Sequence, residues 1–270
     1  MDTRSVDRSL TAALQPLLAS PGRTAVFTDI DGTIAPITER ADEALVPPAQ
    51  QRALTAIAER FALAGCVSGR SATEARRLVG LGTLAYIGNH GCERILPGDT
   101  GVTLDPSVEP HAGEARAFAE AHHTRELASV GMRLEDKGPI VAFHWRGAAD
   151  EPAAEESAQQ LAAAADAEGL RTHWGRKVLE IRPAVDFDKG TALESLLGDH
   201  DVDHALYAGD DRTDIDAFAA LGRLRERGDL QGAVRIAVLS GERPDDLQAA
   251  ADVAVDSTDD FLAVLQTLAG

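Results

Sequence analysis

Two groups of aspartates follow apolar runs in this sequence, although carboxylates are costly to bury. Asp29 and Asp31 lie two positions apart, and a second group, GDDRTD, covers residues 209–214. Carboxylates crowded into one crevice cannot all stay ionised without compensation. A hard divalent cation compensates them, and Mg2+ prefers a few carboxylates together with water and phosphate oxygens. We therefore expect a metal site that receives a phosphate.

Two further short segments supply the other groups that a phosphate reaction needs. Residues 68–70 read SGR after another apolar run, and Lys189-Gly190 opens a helical pattern. An aspartate can attack phosphorus and form an aspartyl-phosphate, and a second acid can protonate the leaving oxygen and then activate water. Lys189 and the donors around Ser68 can hold the other phosphate oxygens. A lone Asp-Gly is usually only a turn, but the four segments together indicate hydrolysis of a phosphate ester.

The elements that must position these segments follow from the apolar pattern. Strands are predicted, with amphipathic helices between them, at residues 25–28, 63–67, 84–87, 205–208, 235–239 and 253–255. This alternation predicts an α/β fold with a doubly wound, Rossmann-like parallel sheet and helices on both faces. Ligands of such sheets bind beyond the carboxyl ends of the strands, where both aspartate groups and Ser68 fall.

The alternation changes between residues 106 and 183. Helix, two strands, helix and two strands are predicted there, at residues 109–127, 132–135, 140–145, 153–167, 170–173 and 177–181. The connections suit antiparallel strands, so this segment predicts an α+β domain inserted into a core of residues 1–105 and 184–270. Trp145 and Trp174 are expected in the core of the insert.

Composition narrows the class of protein further. The formal net charge is -18, from 44 acids and 26 bases, which disfavours nucleic acid and anionic membranes as partners. No apolar run reaches the roughly 20 residues that span a bilayer, and the first 20 residues do not resemble a secretory signal. We therefore expect a cytoplasmic protein that acts on a small molecule; the sequence carries no signal of oligomeric state.

The four segments DIDGT, SGR, DKGTAL and GDDRTD, in this order and spacing, resemble the motifs of the haloacid dehalogenase (HAD) superfamily of phosphohydrolases. The resemblance implies that Asp29 is the nucleophile and that Asp31 is the general acid/base. It places Ser68 and Lys189 at phosphate-holding positions. It also implies a Mg2+ site formed by Asp29, Asp31 (through its backbone carbonyl as well), Asp210 and the supporting acids Asp211 and Asp214.

A closer resemblance is to the trehalose-6-phosphate phosphatase family. It rests on the segments TDIDGTIAPI, SGRS, YIGNHGCE, LEDKGPIVAFHWR, GRKVLEIRP and GDDRTDIDAF. The resemblance implies that the insert is a cap that recognises the sugar, with Lys177 and Glu180 as the leading candidates for hydroxyl contacts. Charged side chains suit a sugar, which offers many donors and acceptors. Further substrate-binding candidates are Arg70, Asn89, His90 and Glu135.

Alternatives stay open beside this interpretation. Lys177 and Glu180 are neighbouring opposite charges, which are often only a solvated pair. Ile215 stands where the family usually has a glutamate after Asp214. The expected function is Mg2+-dependent hydrolysis of trehalose 6-phosphate. The alternatives are a phosphatase for a related disaccharide or pseudo-disaccharide phosphate, and a sugar-phosphate sensor without catalysis.

Overall fold

Short uncharged runs form the central strands of the structure. The computed structural model describes residues 3–38, 43–240, 244 and 246–270. The runs TAVFT and LAGCV are strands in which every residue is buried, as expected where both faces of a sheet are covered. In chain order the strands are β1 (Thr24–Thr28), β2 (Leu63–Val67), β3 (Ala85–Gly88), β4 (Glu93–Ile95), β5 (Thr103–Leu104), β6 (Arg133–Asp136), β7 (Val141–His144), β8 (Arg171–Gly175), β9 (Val178–Arg182), β10 (His204–Gly209), β11 (Gly232–Val238) and β12 (Val253–Val255).

Eight of these strands form one sheet in the order β12-β11-β10-β1-β2-β3-β4-β5. Pairing is parallel from β12 to β3 and antiparallel between β3 and β4. The predicted parallel α/β sheet is therefore confirmed. The short strands β4 and β5 were not predicted, because their sequences, ERI and TL, contain charged or polar residues and form no apolar run. From β1 the following strands are added toward one edge of the sheet, and from β10 they are added toward the other edge. Such a switch point opens a crevice at the carboxyl ends of the strands.

Helices cover both faces of this sheet. In chain order the helices are α1 (Thr3–Ala19), α2 (Pro48–Arg60), α3 (Ala72–Val79), α4 (Glu114–His122), α5 (Arg125–Ser129), α6 (Glu151–Ala167), α7 (Lys189–Gly198), α8 (Arg212–Arg227), α9 (Leu247–Ala250) and α10 (Thr258–Ala269). On β1, Val26 packs with α1, α2, α3 and α10, whereas Ala25 and Phe27 pack with α7 and α8. Alternate strand residues thus supply two separate hydrophobic cores. Within the ranges given above, no helix has both the length and the apolar character needed to cross a bilayer.

The chain forms two compact units: Leu104–Asp186 is one, called the insert, and the segments on either side of it form the other, called the core. The insert contains an antiparallel sheet in the order β6-β7-β9-β8. One face of that sheet packs on α4 and α6 through apolar residues such as Phe118, Phe143 and Leu161.

Two expectations for the insert were wrong. The single helix predicted over 109–127 is a 3-10 turn at Glu109–His111 followed by α4 and α5. Gly113 is the N-cap residue of α4, and Thr124, with an extended backbone, is the N-cap residue of α5. The apolar periodicity therefore continues although the helix is interrupted. Trp174 was expected in the hydrophobic interior of the insert but is 45% exposed on the edge strand β8, where it packs edge-on against the buried Trp145.

Gly65 tests how tightly the core sheet is packed. It lies on β2 between Phe27 of β1 and Ala85 of β3, and an added Cβ would lie 2.5 Å from the Ala85 carbonyl oxygen and 2.5 Å from Phe27 Cε1. We expect Gly65→Ala to lower the free energy of unfolding by about 1–3 kcal/mol, because the core must shift to admit the methyl group. Urea denaturation followed by circular dichroism measures the change.

Gly198→Ala is the matched control. Gly198 ends α7 with open space around its Cα, and alanine favours helix over glycine by up to about 1 kcal/mol. This variant should be as stable as the wild type or slightly more stable. A Gly65→Ala protein that matches it would contradict the packing argument.

Candidate active site

The sequence segments with chemical groups lie at the carboxyl ends of the central strands. Asp29 follows β1, Ser68 follows β2 and Asp210 follows β10. β1 and β10 are neighbours, and the backbone N–H of Asp29 donates to the Ala208 carbonyl oxygen at 2.8 Å. Lys189 is the first residue of α7, whose N-terminus is closed by a capping box. The expected convergence of these segments is present in the structure.

A buried lysine connects the aspartates. Lys189 Nζ lies 2.7 Å from Asp29 Oδ1, 2.7 Å from Asp214 Oδ1 and 3.9 Å from Asp211 Oδ1. The side chains of Lys189, Asp29 and Asp214 are at most 7% exposed. We call Asp29, Asp210, Asp211 and Asp214 the acid cluster. The charges of Asp29, Asp210, Asp214 and Lys189 are buried, where pairing is needed to offset the cost of burial, whereas the Asp211 side chain is exposed.

The loop after β10 is organised by two of these acids. Asp211 is the N-cap of α8 and accepts hydrogen bonds from the backbone N–H groups of Thr213 and Asp214. Asp214 Oδ2 accepts in return from the backbone N–H groups of Asp210 and Asp211, at 2.9 and 3.0 Å. The Asp210 carboxylate is held separately, since Thr33 Oγ1 donates to its Oδ1 at 3.0 Å. The capping box thus orients Asp211 and Asp214, and Thr33 orients Asp210.

The charges in the acid cluster are not balanced by Lys189. Burial raises the pKa of Asp29 well above its ordinary value; Lys189 opposes the shift, and Asp214 and Asp210 add to it. Burial likewise raises the pKa of Asp210 to about 8, with further contributions from Asp214 and Asp211. Burial lowers the pKa of the Lys189 ammonium, but Asp214 and Asp29 raise it by more. The cluster therefore has capacity for another positive charge.

A divalent cation fits this cluster. Oxygens of Asp29, Asp210 and Asp214 lie within 4.8 Å of one another, and hard cations such as Mg2+ take carboxylate oxygens. Gly32 brings backbone close to the same place: its φ is +86°, and an added Cβ would lie 2.0 Å from Asp210 Oδ2. Glycine is required there because no other residue leaves that space open or adopts this φ easily.

Asp31 is oriented by an arginine rather than by the acid cluster. Arg70 Nε and Nη2 donate to the two oxygens of Asp31 at 2.7 and 2.8 Å, and Arg70 Nη1 donates to Glu74 at 2.7 Å. Such a bidentate pair fixes the plane of both groups. Arg70, predicted to bind substrate, thus contacts the predicted acid/base directly. Glu74, on the first turn of α3, was not anticipated as its support.

The loops after β2 and β3 are joined through their backbones. His90 N–H donates to the Ser68 carbonyl oxygen at 3.1 Å, and Asn89 N–H donates to the Arg70 carbonyl oxygen at 2.7 Å. Ser68 Oγ accepts from Arg70 N–H at 3.1 Å. Asn89 and His90 both have left-handed φ values, +50° and +58°. These two candidates therefore hold a tight turn beside the Ser68 loop, in the core.

The candidates in the insert separate into two groups. Glu180 is buried and accepts from Lys137 Nζ at 3.0 Å and from Arg182 at 2.5 Å. Glu135 and Glu180 flank Ala142 in register across three strands, so they share one face of the insert sheet. Lys177 instead pairs with Glu151 at 2.5 Å. The alternative that Lys177 and Glu180 pair with each other is not what the structure contains.

Several contacts at these sites were missed by sequence reasoning. They involve Thr33, Glu74, Lys137, Arg182 and Tyr207. Arg182 had a readable signal, because it lies two positions from Glu180 on a strand and hence on the same face. Tyr207 had a weaker one, since a buried tyrosine hydroxyl usually finds a partner. Ile215, where the family usually has glutamate, packs against the hydrophobic core beside α7 and α8.

Comparison with known proteins was made on this basis. A sequence model of the family described as trehalose-phosphatase matches residues 27–259. A trehalose-phosphate phosphatase of Mycobacterium marinum is 35% identical in an alignment of 243 positions that covers 82% of this chain and 59% of that protein. An uncharacterised glycosyl hydrolase of Mycobacterium tuberculosis is 37% identical in an alignment of 211 positions that covers 74% of this chain and 15% of that protein. The chain thus spans less than two thirds of these relatives.

A solved structure agrees with the sequence matches. The crystal structure of a trehalose-6-phosphate phosphatase related protein has a TM-score of 0.70 and 25% identity, covering 91% of this chain and 96% of the other. Fold, acid cluster and matches together are those of the HAD superfamily. Within that superfamily, the chain belongs to the trehalose-phosphatase family. The resemblance stated from the sequence is confirmed.

Asp210 provides a test of the charge imbalance. Its pKa of about 8 lies above the ordinary 3.8, so its ionisation favours the unfolded state, and stability is lost as the pH rises toward 8. In EDTA at about pH 7.5, Asp210→Asn should raise the free energy of unfolding by at least about 1 kcal/mol, with a smaller gain at about pH 5. Urea denaturation at both pH values measures this.

We expect Mg2+ to raise the melting temperature of the wild type but not that of the same variant, because ligand binding stabilises the state that holds the site. Asp166→Asn, at an exposed position on α6, is the control and should retain the Mg2+ effect. An Asp210→Asn protein that is less stable than wild type in EDTA at both pH values would contradict the charge argument.

Proposed function

We propose that this chain is a Mg2+-dependent phosphatase that hydrolyses trehalose 6-phosphate to trehalose and inorganic phosphate through an aspartyl-phosphate on Asp29. The observation that carries the proposal is the buried contact of Asp29 with Lys189 beside Asp210 and Asp214. The substrate comes from family membership and from relatives named as trehalose-phosphate phosphatases.

The first half-reaction assigns a role to each oxygen of Asp29. Oδ1 accepts from Lys189 Nζ, which leaves Oδ2 as the oxygen that attacks phosphorus. The new Oδ2–P bond replaces the P–O bond to the sugar, and the leaving sugar oxygen takes a proton from Asp31. For this step Asp31 must carry a proton and must have released at least one of its bonds to Arg70. Lys189 and the donors around Ser68 hold the other phosphate oxygens.

The second half-reaction returns the enzyme to its starting state. Asp31, now a carboxylate, takes a proton from water as the water oxygen bonds to phosphorus. The Oδ2–P bond breaks, so that inorganic phosphate leaves and the Asp29 carboxylate is restored. Arg70, held by Glu74, then recovers both bonds to Asp31 once Asp31 has lost this proton to solvent. Positioning accounts for most of the catalysis that phosphoryl transfer needs from a protein.

The proposed Mg2+ would be held by Asp29, Asp210 and the backbone carbonyl of Asp31, with Asp211 as a supporting acid. When bound, the ion neutralises charge on the phosphate and offsets the repulsion within the acid cluster. Asp214 belongs to the same cluster, but its oxygens already accept from four protein donors. Its proposed part is therefore to support the other acids.

The insert is proposed to recognise the sugar through the charged face of its sheet. Lys137, Glu180 and Arg182 form a connected set there, and Glu135 bonds to His144 at 2.7 Å on the same sheet. Charged side chains of this kind supply the donors and acceptors that a polyhydroxylated ligand requires. Lys177 with Glu151 and, in the core, Asn89 and His90 complete the proposed contacts.

The experiment that tests this function measures phosphate release from a panel of phosphate esters with Mg2+ and with EDTA. The panel contains trehalose 6-phosphate, sucrose 6-phosphate, glucose 6-phosphate and p-nitrophenyl phosphate. We expect the highest kcat/KM with trehalose 6-phosphate, and we expect no phosphate release from any ester in EDTA. Asp29→Asn should abolish turnover without unfolding the chain, whereas the exposed control Asp166→Asn should retain it.

Each other outcome identifies an alternative. Equal or better turnover of sucrose 6-phosphate or glucose 6-phosphate would refute the substrate and favour a phosphatase for a related sugar phosphate. Calorimetric binding of trehalose 6-phosphate without turnover of any ester would favour a sensor. Retained activity in Asp29→Asn would refute the nucleophile.

Glu180 tests sugar recognition separately from chemistry. Glu180→Gln removes the charge that holds Lys137 and Arg182, so we expect KM for trehalose 6-phosphate to rise about tenfold or more, as for a lost charge-assisted bond. Turnover of p-nitrophenyl phosphate, which has no sugar, should be unchanged. Glu155→Gln, on an exposed part of α6, is the control. Equal losses with both esters would indicate that Glu180 supports the fold rather than the sugar.

A further inference from the structure

One buried polar group at the site has no part in the function proposed above. Tyr207 lies on β10, opposite Phe27 of β1, and is fully buried. Its ring packs edge-on against Phe218 of α8, with centroids 5.9 Å apart. Its hydroxyl donates to Asp214 Oδ1 at 2.6 Å. A buried ring held on both sides directs its hydroxyl to one place only.

Tyr207 is one of four hydrogen-bond donors to the Asp214 carboxylate. Oδ2 accepts from the backbone N–H groups of Asp210 and Asp211, and Oδ1 accepts from Tyr207 and from Lys189. An ionised carboxylate has about four acceptor sites, and all four are used. Rotation of the carboxylate would break bonds on both of its oxygens, so the four donors fix its plane.

The hydroxyl also competes with Lys189 for one oxygen. Lys189 Nζ is 2.7 Å from Asp214 Oδ1 and 2.7 Å from Asp29 Oδ1, so it divides its hydrogen bonds evenly between the two acids. Burial and then Asp214 raise the pKa of Tyr207 well above its ordinary value, so the hydroxyl keeps its proton and remains a donor. Without this donor, Asp214 Oδ1 would have only Lys189 to satisfy it and would draw the ammonium away from Asp29.

We propose that Tyr207 is a positioning residue for phosphoryl transfer: its hydroxyl fixes Asp214 and thereby sets the position of Lys189 between Asp214 and Asp29. The inference rests on the proposed function of Asp29 as nucleophile. Tyr207 touches neither the substrate nor the reacting atoms and acts through Asp214. Displacements well below the length of a hydrogen bond are sufficient, since misplacement by about 1 Å can cost a hundredfold in rate.

The chain offers a matched control, because it has two tyrosines and both are buried in the same sheet. Tyr86 lies on β3, and its hydroxyl donates to the Leu81 carbonyl oxygen at 2.6 Å. Tyr207→Phe and Tyr86→Phe therefore each remove one buried hydroxyl that makes one short hydrogen bond. A purely structural role predicts similar effects of the two changes on stability and on activity.

The experiment compares both variants with the wild type in thermal stability, in steady-state kinetics with p-nitrophenyl phosphate and in calorimetric binding of inorganic phosphate with Mg2+. We expect both variants to melt at lower temperature by similar amounts. Tyr207→Phe should lower kcat about tenfold or more, with KM changed less than about threefold, and should weaken phosphate binding; Tyr86→Phe should do neither.

The inference about Tyr207 and the proposed function can fail separately, and the results tell the two failures apart. If Tyr207→Phe matches Tyr86→Phe in kcat and in phosphate affinity, Tyr207 only fills the core, although the phosphatase assignment stands. If the wild type hydrolyses no phosphate ester, the proposed function is refuted and the phosphate titration decides alone. Equal phosphate affinities in the three proteins then overturn the inference.

Discussion

The ammonium of Lys189 lies between Asp29 and Asp214, and the rest of the site is arranged around this contact. Three buried carboxylates and the exposed Asp211 repel one another, and one ammonium does not balance them. Two consequences follow from this imbalance. Asp29 and Asp210 have raised pKa values without a further cation, and the cluster is suited to bind a divalent ion. A charge arrangement that is poor for stability is one that serves a phosphate reaction.

The fold stabilises this arrangement by supplying fixed hydrogen-bond donors from the backbone. β1 and β10 are adjacent parallel strands, so the residues after them meet without a long connection. The capping box of α8 directs Asp211 and Asp214 while satisfying N–H groups that the helix start would leave open. The capping box of α7 fixes the start of the helix that carries Lys189. Helix capping thus contributes to stability and orients charged groups at once.

The two units use charge in different ways. In the core, acids exceed bases around Lys189, which leaves capacity for a cation. In the insert, Glu180 lies between Lys137 and Arg182, so its charge is matched by partners of opposite sign. A carboxylate whose charge is matched in this way has less need of a metal ion than the acid cluster has. This contrast is consistent with chemistry in the core and hydroxyl recognition in the insert.

The sequence by itself determined the strand and helix order of the core, the change of pattern over the insert, and the segments that carry Asp29, Ser68, Lys189 and Asp210. These follow from short-range signals: apolar runs, capping residues and motifs read within a few positions. The break in the helix predicted over 109–127 was not readable, because apolar periodicity continued across Gly113 and Thr124. The strand pair β4 and β5 was not readable either, because its sequences contain charged or polar residues and form no apolar run.

Only the tertiary structure decided which groups contact one another. Glu180 pairs with Lys137, 43 residues away, rather than with nearby Lys177; Lys137 directly follows β6, which is separated from the strand of Glu180, β9, by β7. Arg70 reaches Asp31 across 39 residues, and Tyr207 reaches Asp214 through the turn between β10 and α8. Such contacts depend on how whole elements pack, which no local propensity encodes. The sequence identifies the candidate reacting residues, and packing sets the geometry between them.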